Sequence, residues 1–149
     1  MPALALVSPE IPQNIGSVIR TCACFDLKLH IIGPLPFVLD MHRLRRVTMD
    51  YIELIRYEVH TDFGAFLTTV DPANLVATTP ALTATQYTMH PYTESTVVLL
   101  GSESRGLSND VLDKAPSAVR IPMQSKARSL NLAVAAGIVG AHLYMTLSI

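Results

Sequence analysis

Short apolar runs alternate with stretches of helical period along the whole chain, and this alternation constrains the fold more than any other feature. The runs that read as strands are Leu4–Val7, Lys28–Ile32, Ile52–Tyr57, Leu75–Thr78, Val97–Leu100 and Ala118–Ile121. Pro9 and Pro12 keep the chain extended after the first run, and Gly33-Pro34 closes the second. Between them fall helical segments. One starts at Asn14 or Ser17 and runs to about Phe25, and a short basic one covers Met41 to Val47. Thr61 or Asp62 caps a helix from Phe63 to Val70, which Asp71-Pro72 stops. Ser108 caps a short helix through Val111 and Leu112, and Leu130 to Leu147 forms the closing helix. Strands alternating with helices predict an α/β fold with a mostly parallel sheet and helices on both faces. No linker, repeat or low-complexity segment divides the chain, so residues 1–149 read as a single domain.

Half of the residues are apolar and only 15% are charged. A monomer of this size has little polar surface with which to cover such a chain, so oligomerisation is expected. The closing helix sharpens the point. Ala133, Ala136, Gly137, Gly140 and Ala141 recur on one face, while Val134, Ile138, Val139 and Leu143 occupy the others. A helix apolar nearly all round is expected to be buried, within one subunit or between two. The stretch from Leu132 to Ile149 is at the lower limit for a membrane span, and a buried helix explains it better. The N-terminus lacks a basic flank before a long apolar run, so no signal peptide is expected. Cys22 and Cys24 lie two apart on one helix, cannot bridge there, and read as two buried free thiols of a cytoplasmic protein. The five histidines show no metal-ligand spacing.

The net charge of −1 does not advertise a nucleic-acid binder, but its distribution is uneven. Arg43, Arg45 and Arg46 form one basic cluster; Arg120, Lys126 and Arg128 line another stretch. Between Tyr51 and Val98 the only lysine or arginine is Arg56.

Three separated segments carry the chemistry. The first is Asn14-Ile15-Gly16-Ser17-Val18-Ile19-Arg20, where Gly16 permits a close backbone approach and Asn14 offers both donors and acceptors. Taken alone, Asn14 caps a helix and Arg20 is solvated. The second is Gly101-Ser102-Glu103-Ser104-Arg105-Gly106-Leu107, a tight turn after a strand in which Glu103 anchors the loop or meets a substrate. The third is Ile121-Pro122-Met123 followed by Ser129-Leu130-Asn131. Backbone groups of Ile121 and Met123 can pair with an adenine edge over an apolar floor. Ser129 either caps the closing helix or meets a ligand. No Gly-x-Gly-x-x-Gly is present, which disfavours a flavodoxin-like nucleotide binder.

In this order and at these spacings the three segments resemble the motifs of the SpoU/TrmH (SPOUT) class of RNA ribose 2'-O-methyltransferases. The short length is similar to its smallest branch, which acts on the wobble cytidine or uridine of tRNA. The resemblance runs from Leu4 to about Leu147. It implies S-adenosyl-L-methionine as cofactor, tRNA as substrate, a homodimer, no metal, no membrane, and a deep trefoil knot in the C-terminal half. By the same resemblance Arg20 is the first choice for a catalytic residue, with Asn14 in support and Glu103 in the same group. Arginine is a poor free base, so Arg20 is expected to hold an RNA phosphate and orient the ribose. Thr78, Gly101, Ile121, Met123, Ser129 and Leu130 become cofactor contacts. Arg43, Arg45, Arg46 and Arg128 become RNA contacts, which supply salt-dependent affinity rather than sequence reading. Relatives often carry an aromatic residue midway along the last helix, where this chain has Ala141. The competing readings are methylation of another tRNA or rRNA ribose and a knot that binds RNA or cofactor without turnover.

Overall fold

The computed structural model describes residues 1–147. Seven strands form its sheet: β1 (Ala3–Val7), β2 (Lys28–Ile32), β3 (Tyr57–His60), β4 (Leu75–Thr78), β5 (Thr85–Gln86), β6 (Val97–Leu100) and β7 (Ser117–Arg120). Every ladder between them is parallel, and the spatial order is β3-β2-β1-β6-β4-β7-β5. The helices are α1 (Pro12–Cys24), α2 (Met41–Thr48), α3 (Phe63–Leu67), α4 (Asn109–Lys114) and α5 (Leu132–Leu147).

Side-chain alternation along the strands separates two cores. Leu4, Leu6, Leu29, Ile31, Val98 and Leu100 point to one face, where Ile15, Val18 and Ile19 of α1, Leu44 of α2, and Ala136, Val139 and Leu143 of α5 cover them. Ala3, Ala5, Val7 and Ile32 point to the other, under Phe66 of α3 and Val111 of α4. Both faces of the sheet are therefore covered, as the alternation predicts.

Several boundaries differ from the sequence reading, each for a physical reason. The strand expected at Ile52–Tyr57 is instead a 3-10 turn over Met49–Leu54, and β3 follows it. Ile52 is an isolated buried anchor, while β3 is an edge strand whose Tyr57 and Val59 are exposed, so hydropathy marks the wrong segment. Helix α1 begins at Pro12 rather than at Asn14 or Ser17, because proline suits the first helical position, whose N–H needs no partner. Helix α3 ends at Leu67, where the Thr68 and Thr69 hydroxyls donate to the carbonyls of Ala65 and Phe66. Asp62, not Thr61, caps it by accepting from the Ala65 N–H. Cys22 is buried but Cys24 is exposed.

Helix α5 is only half buried. Leu132, Ala136, Val139, Gly140 and Leu143 face inward, while Val134, Tyr144 and Met145 are 49%, 43% and 68% exposed. Among the described residues no helix is long and apolar enough to cross a membrane, and Ser148 and Ile149 lie outside them.

The strand order sets the position of the site. From β1 the chain proceeds through β2 to β3 in one direction, and all later strands lie on the other side of β1. The order therefore reverses between β1 and β6, and the loops leaving the carboxyl ends of β4, β6 and β7 gather beside that point, with the start of α1 against them.

Gly140 is the contact at which α5 crosses α1. A Cβ there would lie 3.2 Å from Leu27 Cδ1 and 3.3 Å from Thr21 Cγ2. Gly140→Leu is expected to push the two helices apart and to destabilise the fold by about 1–3 kcal/mol. Urea denaturation followed by circular dichroism reads this as a lower midpoint.

Candidate active site

The turn after β6 folds back on itself under steric constraint. The Gly106 N–H donates to the Ser102 carbonyl at 2.9 Å, and Gly106 holds φ +65°. A Cβ on Gly101 would lie 2.2 Å from the Gly106 carbonyl carbon and 2.4 Å from Leu107 N. Gly101 is thus required by the close approach of its own turn, whatever else the cleft places against it.

That turn presents Glu103 to the loop after β1. Glu103 Oε2 accepts from the Glu10 N–H at 2.7 Å, and Oε1 accepts from the Ile11 N–H at 3.1 Å and from Asn14 Nδ2 at 3.0 Å. Asn14 Oδ1 in turn accepts from Asn131 Nδ2 at 3.2 Å. Asn131 Oδ1 accepts from the Ala133 and Val134 N–H groups at 2.8 and 3.3 Å, which makes Asn131, not Ser129, the cap of α5. One hydrogen-bonded chain therefore joins all three motif segments. A second clasp runs the other way, since Glu10 Oε1 accepts from the Ser104 hydroxyl at 2.6 Å and from its N–H at 3.2 Å.

These bonds set the charge state of the node. Burial pushes the Glu103 carboxyl up, but the bonds donated by Asn14 and the loop N–H groups outweigh it and hold the group below its ordinary value. The Ser104 bonds lower Glu10 in the same way.

Around the node opens a cleft of about 790 Å³. Its walls include Asn14, Thr78, Gly101, Glu103, Ile121, Met123, Arg128, Ser129 and Leu130, so nine of the residues singled out from sequence converge there. Thr78 is fixed by its hydroxyl, which donates to the Leu99 carbonyl at 2.8 Å and ties β4 to β6. Arg20 does not line the cleft. It is exposed on the other side of α1, with its guanidinium 4.8 Å from the centroid of the Tyr51 ring. Arg43, Arg45 and Arg46 are exposed on α2, also outside the cleft.

Helix α2 docks on α1 at Gly16, where a Cβ would lie 3.4 Å from Val47 Cγ1. The Thr48 hydroxyl donates to the Leu44 carbonyl, and Met49 turns the chain with φ 53° so that Tyr51 reaches Arg20. Glu10 lies outside the motifs, and the roles of Glu10 and of the Ser104 hydroxyl depend on segments far apart in sequence.

A cleft of this construction, closed by three separated motifs, belongs to an established class. The profile of the SpoU rRNA Methylase family matches residues 1–141, and the chain belongs to that family. It is 41% identical over 140 residues to a tRNA (cytidine(34)-2'-O)-methyltransferase of Burkholderia cenocepacia, covering 91% of this chain and 89% of that protein. A solved structure concerned with 2-OH methylation of C/U34 on tRNA matches with a TM-score of 0.89 and 38% identity, over 100% of this chain and 92% of that one. The AdoMet-bound rRNA methyltransferase from Sinorhizobium meliloti matches with a TM-score of 0.84 and 28% identity, over 98% of this chain and 56% of that one.

Both depressed carboxyls make acid stability a readout of the node. The unfolded chain binds more protons than the folded one once the pH falls, so the stabilisation is complete above the ordinary carboxyl value of 4.5 and is lost as pH drops below it. Glu103→Gln is expected to lower the urea midpoint at pH 7 and to shrink its further fall between about pH 5 and pH 3. Denaturation curves across that range check both parts.

Proposed function

We propose that this chain methylates the 2'-hydroxyl of the wobble cytidine or uridine of tRNA, using S-adenosyl-L-methionine. The observation that carries the reading is the closure of the three motif segments around one cleft by the Glu103–Asn14–Asn131 chain. The 41% identity to a tRNA (cytidine(34)-2'-O)-methyltransferase supports the choice of nucleotide. A cleft of about 790 Å³ is of the size that small-molecule cofactors occupy. Backbone groups at Ile121 and Met123 suit an adenine edge, and the Leu130 side chain adds an apolar wall. Gly101, Thr78 and Ser129 complete the cofactor site on this reading.

The cofactor supplies an electrophilic methyl group on a sulfonium. The protein's part is alignment and electrostatics. Glu103, with its oxygens committed to Glu10, Ile11 and Asn14, serves the site by holding the loops and not as a proton acceptor. Arg20 holds an RNA phosphate beside the reacting ribose, braced by Tyr51. Arg43, Arg45 and Arg46 on α2, and Arg128 at the cleft, add phosphate contacts. Unpaired Cys22 and Cys24 suit a reducing cytoplasm, where tRNA is modified.

The same reading includes a homodimer and a knot. Val134, Ile138, Ala141 and Met145 form a continuous, partly exposed apolar stripe on α5, which suits a second copy. Asn14 faces the cleft while Arg20 faces away from it, so the Arg20 of one subunit serves the cleft of the other. The knot reading rests on β7, which hydrogen-bonds between the earlier strands β4 and β5, and on Tyr87 and Tyr92, which pack against His142 of α5.

Transfer of labelled methyl from S-adenosyl-L-methionine to bulk tRNA from cells lacking this protein, with nucleoside mapping, tests the reading. A 2'-O-methylated wobble pyrimidine is the expected product, and label at another ribose would move the substrate. Arg20→Ala is expected to lower transfer at least about a hundredfold, with cofactor binding retained in equilibrium dialysis. Survival of activity in that variant would remove Arg20 from the mechanism.

Sedimentation is expected to give twice the 16.2 kDa chain mass. Mixing Arg20→Ala chains with chains carrying a cleft lesion, Asn131→Ala, is expected to restore activity that neither has alone. No restoration in mixed dimers would mean that each subunit uses its own Arg20.

A further inference from the structure

His30, Glu58 and His60 meet on the sheet face beneath α3, away from the cleft. In sequence they show no ligand spacing. The parallel pairing of β2 with β3 sets Glu58 opposite His30 and His60 opposite Ile32. The strand period of two then places all three side chains on one face.

Three atoms converge. His30 Nδ1 lies 3.0 Å from His60 Nε2, and each of these nitrogens lies 3.7 Å from Glu58 Oε2. A triangle with those sides has a circumradius of about 2.0 Å, which is the length of a zinc bond to imidazole nitrogen or carboxylate oxygen. We propose that His30, Glu58 and His60 form a site for a zinc-class divalent cation, with three protein ligands and one position open to water.

The surroundings suit this assignment. His30 is 1% and His60 8% exposed, and Phe66 presents its edge to both rings at 5.1 and 5.4 Å, so the donors are held rigidly. The Glu58 side chain is 43% exposed, which gives an ion a route from solvent. Burial, and then the Lys28 ammonium, push His30 down to about 4; burial likewise lowers His60. Both rings are therefore neutral at pH 7, with lone pairs available. Lys28 Nζ sits 2.7 Å from Glu58 Oε1, orienting the carboxylate and leaving Oε2 for the ion. The lysine's charge also opposes a cation, which favours one that bonds strongly to imidazole over calcium or magnesium, whose ligands are oxygens. Without metal the two rings share one proton across the 3.0 Å contact; with metal, each ring carries its N–H on the nitrogen facing away. A bound ion would fasten edge strand β3 to β2, a role independent of methyl transfer.

The test is equilibrium dialysis of the tag-free full chain against Zn²⁺, with metal counted by elemental analysis and Co²⁺ absorption reporting tetrahedral geometry. A Cys24→Ser background removes the exposed thiol as a competing ligand. One zinc per chain and a zinc-dependent rise in Tm are expected. Glu58→Gln, at a partly exposed position that leaves the fold intact, is expected to weaken binding about 10- to 100-fold, and His60→Gln to abolish it. Absence of stoichiometric binding by the folded chain would assign the triangle to the shared proton alone. Equal affinity in wild type and Glu58→Gln would place any bound zinc elsewhere. Either result overturns the proposal.

Discussion

The Glu103 carboxylate is the interaction on which the rest of the site depends. It accepts three N–H bonds from a segment some ninety residues earlier in the chain, and through Asn14 it reaches Asn131 at the start of α5. Bonds to an ionised acceptor are stronger than neutral ones, and here they also fix the loops that form the cleft walls. The sheet does the first part of this work. Because β6 is inserted beside β1, the loops leaving both strands emerge side by side, and a single side chain spans them. The node then converts neighbouring loops into a defined cleft.

Sterics make that node possible. At Gly101 a Cβ would collide with the backbone of Gly106 and Leu107, whereas at Gly106 the space is open and the φ of +65° is what favours glycine. Glu103 lies within that closure, and its carboxylate is held by the Glu10 and Ile11 N–H groups and the Asn14 amide. The Ser104–Glu10 clasp repeats the connection in the opposite sense, so the two loops hold each other. Ligand contact is thus a second demand on a segment already dictated by packing.

What the sequence revealed follows from where each residue's partners lie. The strands β1, β2, β4 and β6 are filled with apolar side chains because both faces are covered, and they were legible within a residue of their ends. The edge strands β3 and β5 were not, since each has only one neighbour and carries polar or exposed residues. Ser129 is a good capping residue by type, but the geometry gives the α5 cap to Asn131, which is another. Motif spacing marks residues that the fold does bring to one cleft, and Gly101 carries a second constraint that spacing does not show, the closure of its own turn. His30 and His60 looked unrelated because strand pairing, not spacing, brings them together.

Helix α1 separates the two halves of the proposed reaction site. Asn14 and Arg20 are six residues apart, or roughly 120° apart around the helix axis, so they point from different faces. Asn14 closes the cleft, while Arg20 stands with Tyr51 on the outer side, beside the basic helix α2 that Gly16 allows to dock. An arginine so placed does not line its own cleft and is exposed to whatever packs against α1. The apolar stripe left open on α5, which crosses α1 at Gly140, gives a second copy a surface next to it. On the proposed reading, the excess apolar character of the chain and the outward arginine have one explanation. On that reading the dimer that would bury the α5 stripe would also bring an arginine to each cleft, and a single subunit would be catalytically incomplete.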